Sequence, residues 1–272
     1  MSYQPSKKAV FSLTIPTVVL IILASLSGIL NGEEIYSAET ANWRAQAISQ
    51  DYIDLILLVP HLIISLFFAS RGNIKAVMLW AGGMVYTLYT FTIYCYAINF
   101  NSLFLVYCAV LGISFYSLLL FLLSYNIYSQ KLNIKKNTPI TGIFLIIIAI
   151  VFSLLWLSEI ITAVINGEKP EQLVETGLMV NPIHVNDLSV LLPAFLMTGI
   201  FLLKRKSTGL IFTPVLLSFS VLMNITIATL VVLMNNYQVE TSYTVAFIML
   251  ALTLISLILL ISYLRNMEIK TA

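Results

Sequence analysis

Charge is what this sequence has least of. Only 10% of its 272 residues are Asp, Glu, Lys or Arg, while 60% are hydrophobic. Soluble domains carry about a quarter charged residues, so a free-standing water-soluble enzyme or binding module is excluded. Histidine and cysteine are just as scarce, with two of each. Cys95 and Cys108 cannot build a disulfide framework, and their spacing fits no zinc or CxxC motif. The histidines, His61 and His184, are too few for the three-histidine zinc sites of several intramembrane hydrolases. HExxH, G-x-S-x-G, P-loop and Rossmann signatures are all missing. Nothing in the sequence implies a cofactor. No basic stripe with interleaved aromatics is present, which argues against nucleic acid as a partner. With 11 Gly and 8 Pro, there is no low-complexity linker to divide the chain.

Long apolar runs are what remains. Mean hydropathy is +0.97, and the chain reads as eight blocks, each near the roughly 20 residues that cross a bilayer as a helix. The blocks lack the alternation that a barrel strand needs. The expected fold class is therefore all-α: a polytopic transmembrane helix bundle forming one membrane domain over 1–272. Its spans fall at approximately 9–30, 52–70, 74–98, 103–125, 139–165, 182–203, 209–234 and 242–264. Lys7/Lys8, Arg71/Lys75, Lys131/Lys135/Lys136, Lys204/Arg205/Lys206 and Arg265/Lys270 fall at alternate joints, leaving only Arg44 and Lys169 in the others. Every acidic residue except Glu268 lies at or near the opposite set of ends. Basic residues are retained in the cytoplasm, so both termini are expected inside.

Two long outer loops are expected, Asn31–Gln50 and Asn166–Val180. The first has room for a short interfacial helix with Trp43 at headgroup level. The second holds a capped helix over Pro170–Thr176, with Gly177 behind it. Asn181-Pro182 is an N-cap and first-turn pair that opens span six. Each half has four spans and a long loop after its first span. That regularity suits a parallel duplication, although no matching residues stand out.

Ionisable residues within spans are costly and are functional candidates by default. Five qualify: Asp54, His61, Glu159, His184 and Asp187. Asp54 and His61 are seven residues apart, on one face of an ideal helix, with Gln50 and Asp51 joining if the helix extends back. Pro60 would loosen the local backbone ladder. His184 and Asp187 sit at i and i+3. Glu159 needs a proton or a partner at its depth, and His61, His184 or a span-three tyrosine could supply one. Convergence would build an outward-facing polar pocket suited to a hard or borderline metal, a proton relay or a cationic ligand. The plain alternative separates them, with Asp187 at a helix N-terminus, Asp54 among headgroups, and His61 and Glu159 in a helix–helix contact. Tyr86, Tyr89 and Tyr96 form a second, pocket-lining candidate set on span three.

Phe100-Asn101-Ser102-Leu103-Phe104-Leu105-Val106-Tyr107 with Ser114-Phe115-Tyr116, and Asn181-Pro182-Ile183-His184-Val185-Asn186-Asp187-Leu188 with Leu191-Leu192-Pro193, resemble an uncharacterised family of bacterial polytopic inner-membrane proteins of about eight spans. The resemblance covers most of the chain, from span two to span seven. It implies a multi-pass protein of the bacterial inner membrane and assigns no activity. In that family the position of Asn186 is more often apolar. Three functions remain open: binding or transport of a small ligand or ion, a non-catalytic component or sensor acting through a protein partner, and an intramembrane hydrolase-type enzyme.

Overall fold

The computed structural model describes residues 12–124, 132–134, 139–239 and 241–269. It is an all-helical bundle apart from one small ribbon. Among the described residues, eight long helices follow the apolar blocks: α1 Thr14–Leu30, α2 Ala41–Ser70, α3 Ile74–Ala97, α4 Phe104–Leu123, α5 Pro139–Asn166, α6 Pro182–Leu203, α7 Ser207–Asn236 and α8 Tyr243–Asn266. Seven of them are long and apolar enough to cross a membrane, the make-up of a multi-pass membrane protein; α1 is shorter, at 17 residues. The basic residues at 7, 8, 131, 135, 136 and 270, and the expected starts and ends of spans at 9 and 125, lie outside the described residues.

The loops collect charge at two ends. Glu33, Glu34, Glu39, Glu168, Glu171 and Glu175 mark a carboxylate-rich end, and Arg71, Lys204, Arg205, Lys206 and Arg265 a basic end. A two-stranded antiparallel ribbon at the basic end pairs β1, Leu132–Ile134, with β2, Met267–Ile269. It joins the α4–α5 connection to the segment after α8.

The first long loop is largely helical, and the helix that carries span two starts upstream of Tyr52. Thr40 caps α2 by accepting from the Trp43 N–H at 3.2 Å, so the helix begins at Ala41. The polar stretch through Gln50 is helix, not loop. Trp43 is buried and donates to the Ala97 carbonyl at 2.7 Å, so its ring packs inside the bundle. In the second loop, Glu171–Thr176 is the expected short helix, closed by Gly177 at φ +72°. Asn181 caps α6 as its sequence predicts, accepting from the N–H groups of Ile183 and His184.

α3 and α7 are the most buried helices and pack on each other at the centre. A repeat that the amino-acid pattern alone does not announce emerges around them. α2 and α6 each contain a π-helical turn, Asp54–Leu58 and Asp187–Leu191. Each turn opens on an aspartate and is followed by a proline, giving Asp-Leu-x-x-Leu-x-Pro twice, at 54–60 and 187–193. In each, the residue before the proline donates to the aspartate carbonyl five positions back. Proline cannot continue the α-helical ladder, and the wider turn accommodates the break. At the same constant offset, both helices end in matching turns. Gly72 and Asn73 donate to Ala69 and Phe68, and Arg205 and Lys206 donate to Leu202 and Phe201.

The offset also pairs α3 with α7, making Gly82 the counterpart of Val215 and Tyr86 the counterpart of Phe219. Counterparts touch. A Cβ on Gly82 would lie 2.7 Å from the Val215 carbonyl oxygen, and the Tyr86 and Phe219 ring centroids are 6.4 Å apart. Contacts between equivalent residues are the signature of a two-fold axis. Here it runs between α3 and α7. Consistently, α2 packs on α7, and the first turns of α6 pack on α3.

Candidate functional site

The five ionisable candidates do not form one cluster, and the π turns explain why. An ordinary helix returns to the same face after seven residues; the extra residue in a π turn rotates the rest of the helix by roughly 100°. His61 therefore leaves the face of Asp54. Its Nε2 lies 2.9 Å from the Leu79 carbonyl oxygen, and its ring lies against Gly83, where an added Cβ would come within 2.6 Å of it. His61 is an α2–α3 packing and hydrogen-bonding residue, separate from the groups at the carboxylate-rich end.

Asp54 is fully buried. One carboxyl oxygen accepts from Gln50 at 2.8 Å, and the other has no partner among the described residues. The Gln50 amide also donates to the Tyr86 hydroxyl at 2.9 Å, and that hydroxyl meets the Thr226 hydroxyl at 2.7 Å. This chain crosses the two-fold axis from α2 through α3 to α7.

Three residues upstream, Asp51 is the centre of a tighter cluster. It accepts from Tyr36 at 2.8 Å and from Tyr94 at 2.9 Å. The Tyr107 hydroxyl lies 3.4 Å from that of Tyr36. Gly28 of α1 makes room, since a Cβ there would fall 1.9 Å from an Asp51 oxygen. Burial first, and then Asp51, push the Tyr36 hydroxyl far above the ordinary phenol range, so it remains a donor at any physiological pH.

Asp187 is the counterpart of Asp54 in the second half. It accepts from Tyr89 at 3.0 Å and from the Trp156 indole at 2.8 Å. His184 and Asp187 precede the π turn's displacement, so both reach Trp156; the Trp156 and His184 ring centroids are 4.6 Å apart. His184 is buried. Glu159 lies 3.7 Å from the His184 Nε2, too far for a direct hydrogen bond and near enough for one bridged by water. The Gln172 amide donates to Glu159 at 3.3 Å. Of the partners expected for Glu159, His184 is the one it meets, and its side chain is 26% exposed.

A cavity of about 120 Å³ opens among α2, α3, α6 and α7 at the carboxylate-rich end. Trp43, Gln46 and Gln50 come from α2, Tyr89, Thr90 and Tyr94 from α3, and Thr226 from α7. Ile93, Ile183 and Ile227 supply much of the apolar wall. Each buried aspartate stands one hydrogen bond behind this wall: Asp51 behind Tyr94, Asp54 behind Gln50, and Asp187 behind Tyr89. Towards the basic end, Phe219 sits against Tyr86, Tyr89 and Phe195. Past that layer α3 and α7 touch at Gly82, so the cavity has a floor.

Tyr89 alone of the three tyrosine candidates lines the cavity. Tyr86 is one contact removed. Tyr96 is 80% exposed and does not line it, because two further residues beyond Tyr94 turn it to the outside of α3. Tyr36, Tyr94, Tyr107 and Trp156 were not singled out as site residues from the sequence, and Trp43 was expected at headgroup level. Asp51 entered only on condition that span two began early. Among the described residues, no three His, Cys, Asp or Glu side chains gather as a metal site would require. Cys95 and Cys108 are neighbouring free thiols. In comparisons with known proteins, no family model, curated protein or solved structure matches the chain.

Proposed function

We propose that this chain is an eight-span protein of a bacterial plasma membrane, with both termini cytoplasmic. It binds a small ligand or ion in the cavity at its carboxylate-rich, outward-facing end and serves its transport. The observation carrying this reading is the cavity itself, placed between the two repeats and backed by three buried carboxyl groups. Buried, ionisable side chains at membrane depth are expensive and are retained where they act on something. Sites at repeat interfaces near a symmetry axis suit alternating access, in which one repeat rocks against the other. The floor formed around Phe219 corresponds to a closed inner gate. The segregation of basic residues supports the orientation.

Cysteine accessibility tests the reading. In a background with Cys95 and Cys108 replaced by alanine, Ile227→Cys should react from outside intact cells with an impermeant cationic thiol reagent. Ser218→Cys, below the floor, should not. Cysteines placed at Ala41 and Gln172 should also label from outside, and one at Asn133 should not. Reversed labelling would overturn the orientation, and an inert Ile227→Cys would overturn an open pocket.

A further inference from the structure

The walls of the cavity say what kind of ligand it takes, an inference that rests on the pocket described above. Its three aromatic side chains have polar tips already committed elsewhere. The Trp43 indole donates to the Ala97 carbonyl, Tyr89 to Asp187, and Tyr94 to Asp51. What they offer the cavity is ring. A phenol that donates to a carboxyl group has a more electron-rich ring, which deepens the negative potential on its face.

The amide donors are largely committed as well. Gln50 gives its two amide hydrogens to Asp54 and Tyr86, and Gln46 gives one of its two to Asn42 at 2.7 Å. That leaves the second Gln46 hydrogen, since the hydroxyls of Thr90 and Thr226 both meet that of Tyr86. Among the described residues, no lysine or arginine lines the cavity. The basic residue on the neighbouring turn of α2, Arg44, is turned to Glu33 at 2.6 Å. Within the same residues, none of Asp51, Asp54 and Asp187 is in an ion pair, and one oxygen of Asp54 is buried without any partner. An anion or a carbonyl-rich ligand would find almost no donors here. A cation would find acceptor oxygens, aromatic faces and uncompensated carboxyl groups.

We propose that the pocket recognises a small alkylammonium group, held by cation–π contact with Trp43, Tyr89 and Tyr94 and backed by the carboxyl group of Asp54, whose second oxygen has no partner among the described residues. Size agrees. A cavity of about 150 Å³ holds a benzene ring, and one of about 120 Å³ accommodates a methylated ammonium head. An inorganic cation fits less well, since the carboxyl oxygens stand behind the wall and cannot replace its hydration shell.

Calorimetric titration of the purified full-length protein with choline, and with its neutral carbon isostere 3,3-dimethylbutan-1-ol, tests this at constant ionic strength. Choline should bind at least tenfold more tightly. Asp54→Asn should remove most of that preference while leaving the weak binding of the alcohol unchanged. Should the alcohol bind as well as choline, the cation assignment fails and the pocket stands. Should neither bind in the millimolar range, the pocket reading fails with it. An Asp54→Asn protein that keeps the full preference would overturn the role of the buried carboxyl group.

Discussion

The two halves share a plan but close at opposite ends. In the first, α1 is drawn against α2 at the carboxylate-rich end, where Gly28 lets Asp51 in and Tyr36 and Tyr94 seal it. In the second, α5 meets α6 most closely near the basic end. A Cβ on Gly199 would lie 2.7 Å from the Gly142 carbonyl oxygen there. At the carboxylate-rich end that pair is joined by the Trp156–Asp187 bond and the looser Glu159–His184 contact. α1 also packs on α4, whereas α5 has α6 as its main neighbour. The first half is thus tied together beside the cavity, and the second packs most closely away from it. Sequence equivalence does not oblige two repeats to pack alike.

The largest effect should come from removing the clearance beside Asp51. Gly28→Ala forces a methyl group into Asp51 and Tyr36, and should destabilise by ~3 kcal/mol. Gly112→Ala, with nothing within 4 Å, should be nearly silent. Thermal melting of the two variants in the same detergent decides it, and equal losses would break the contrast.

Next come the carboxyl groups themselves. Asp51→Ala removes the carboxyl acceptor of two buried phenols, leaving Tyr94 the Ala47 carbonyl and Tyr36 the Tyr107 hydroxyl, and should cost about 1–3 kcal/mol in all. Asp187→Ala should cost less than Asp51→Ala. Its position is 7% exposed against 1% for Asp51, so water can reach the orphaned Tyr89 and Trp156. Hydrogen exchange at the ends of α2 and α6 would show whether loosening stays within the mutated half.

A smaller, mirrored pair concerns the turns at the basic end. Gly72 has φ +85°, and its counterpart Arg205 has φ +52°, a conformation strained for a side chain. Arg205→Gly should stabilise by ~1 kcal/mol, and Gly72→Arg should destabilise by a similar amount, read from the same melts. The smallest effect is expected for Glu159→Gln. Its side chain is 26% exposed and 3.7 Å from His184, so stability should change by less than about 0.5 kcal/mol. A large loss would mean that the second half is tied together beside the cavity too.

Much of the architecture was legible because a helix in lipid must satisfy its own backbone and advertise itself as an apolar run. The Asn181-Pro182 cap and the Gly177 stop were legible for similarly local reasons. What escaped depends on register. Span two looked as though it began at Tyr52, because the turn carrying Trp43, Gln46 and Gln50 is polar, and it is polar because it lines the cavity. His61 looked like a partner for Asp54 because a seven-residue spacing assumes an unbroken α-helix; the π turn before Pro60 invalidates that assumption. The tyrosines were visible as a set, but their roles were not, since the choice between Tyr94 and Tyr96 turns on which side of α3 faces α2.

Two bulges at one register also set how each helix presents its two ends. In both α2 and α6 the wider turn lies just ahead of a proline that would otherwise break the ladder. The shared Asp-Leu-x-x-Leu-x-Pro step therefore imposes the same change of face in each half, with the aspartate on one side of it and the rest of the helix turned away. Elsewhere the halves differ. One has glycine at its closing turn and the other Arg205; Asp54 accepts from Gln50, and its counterpart Asp187 accepts from Tyr89 and Trp156.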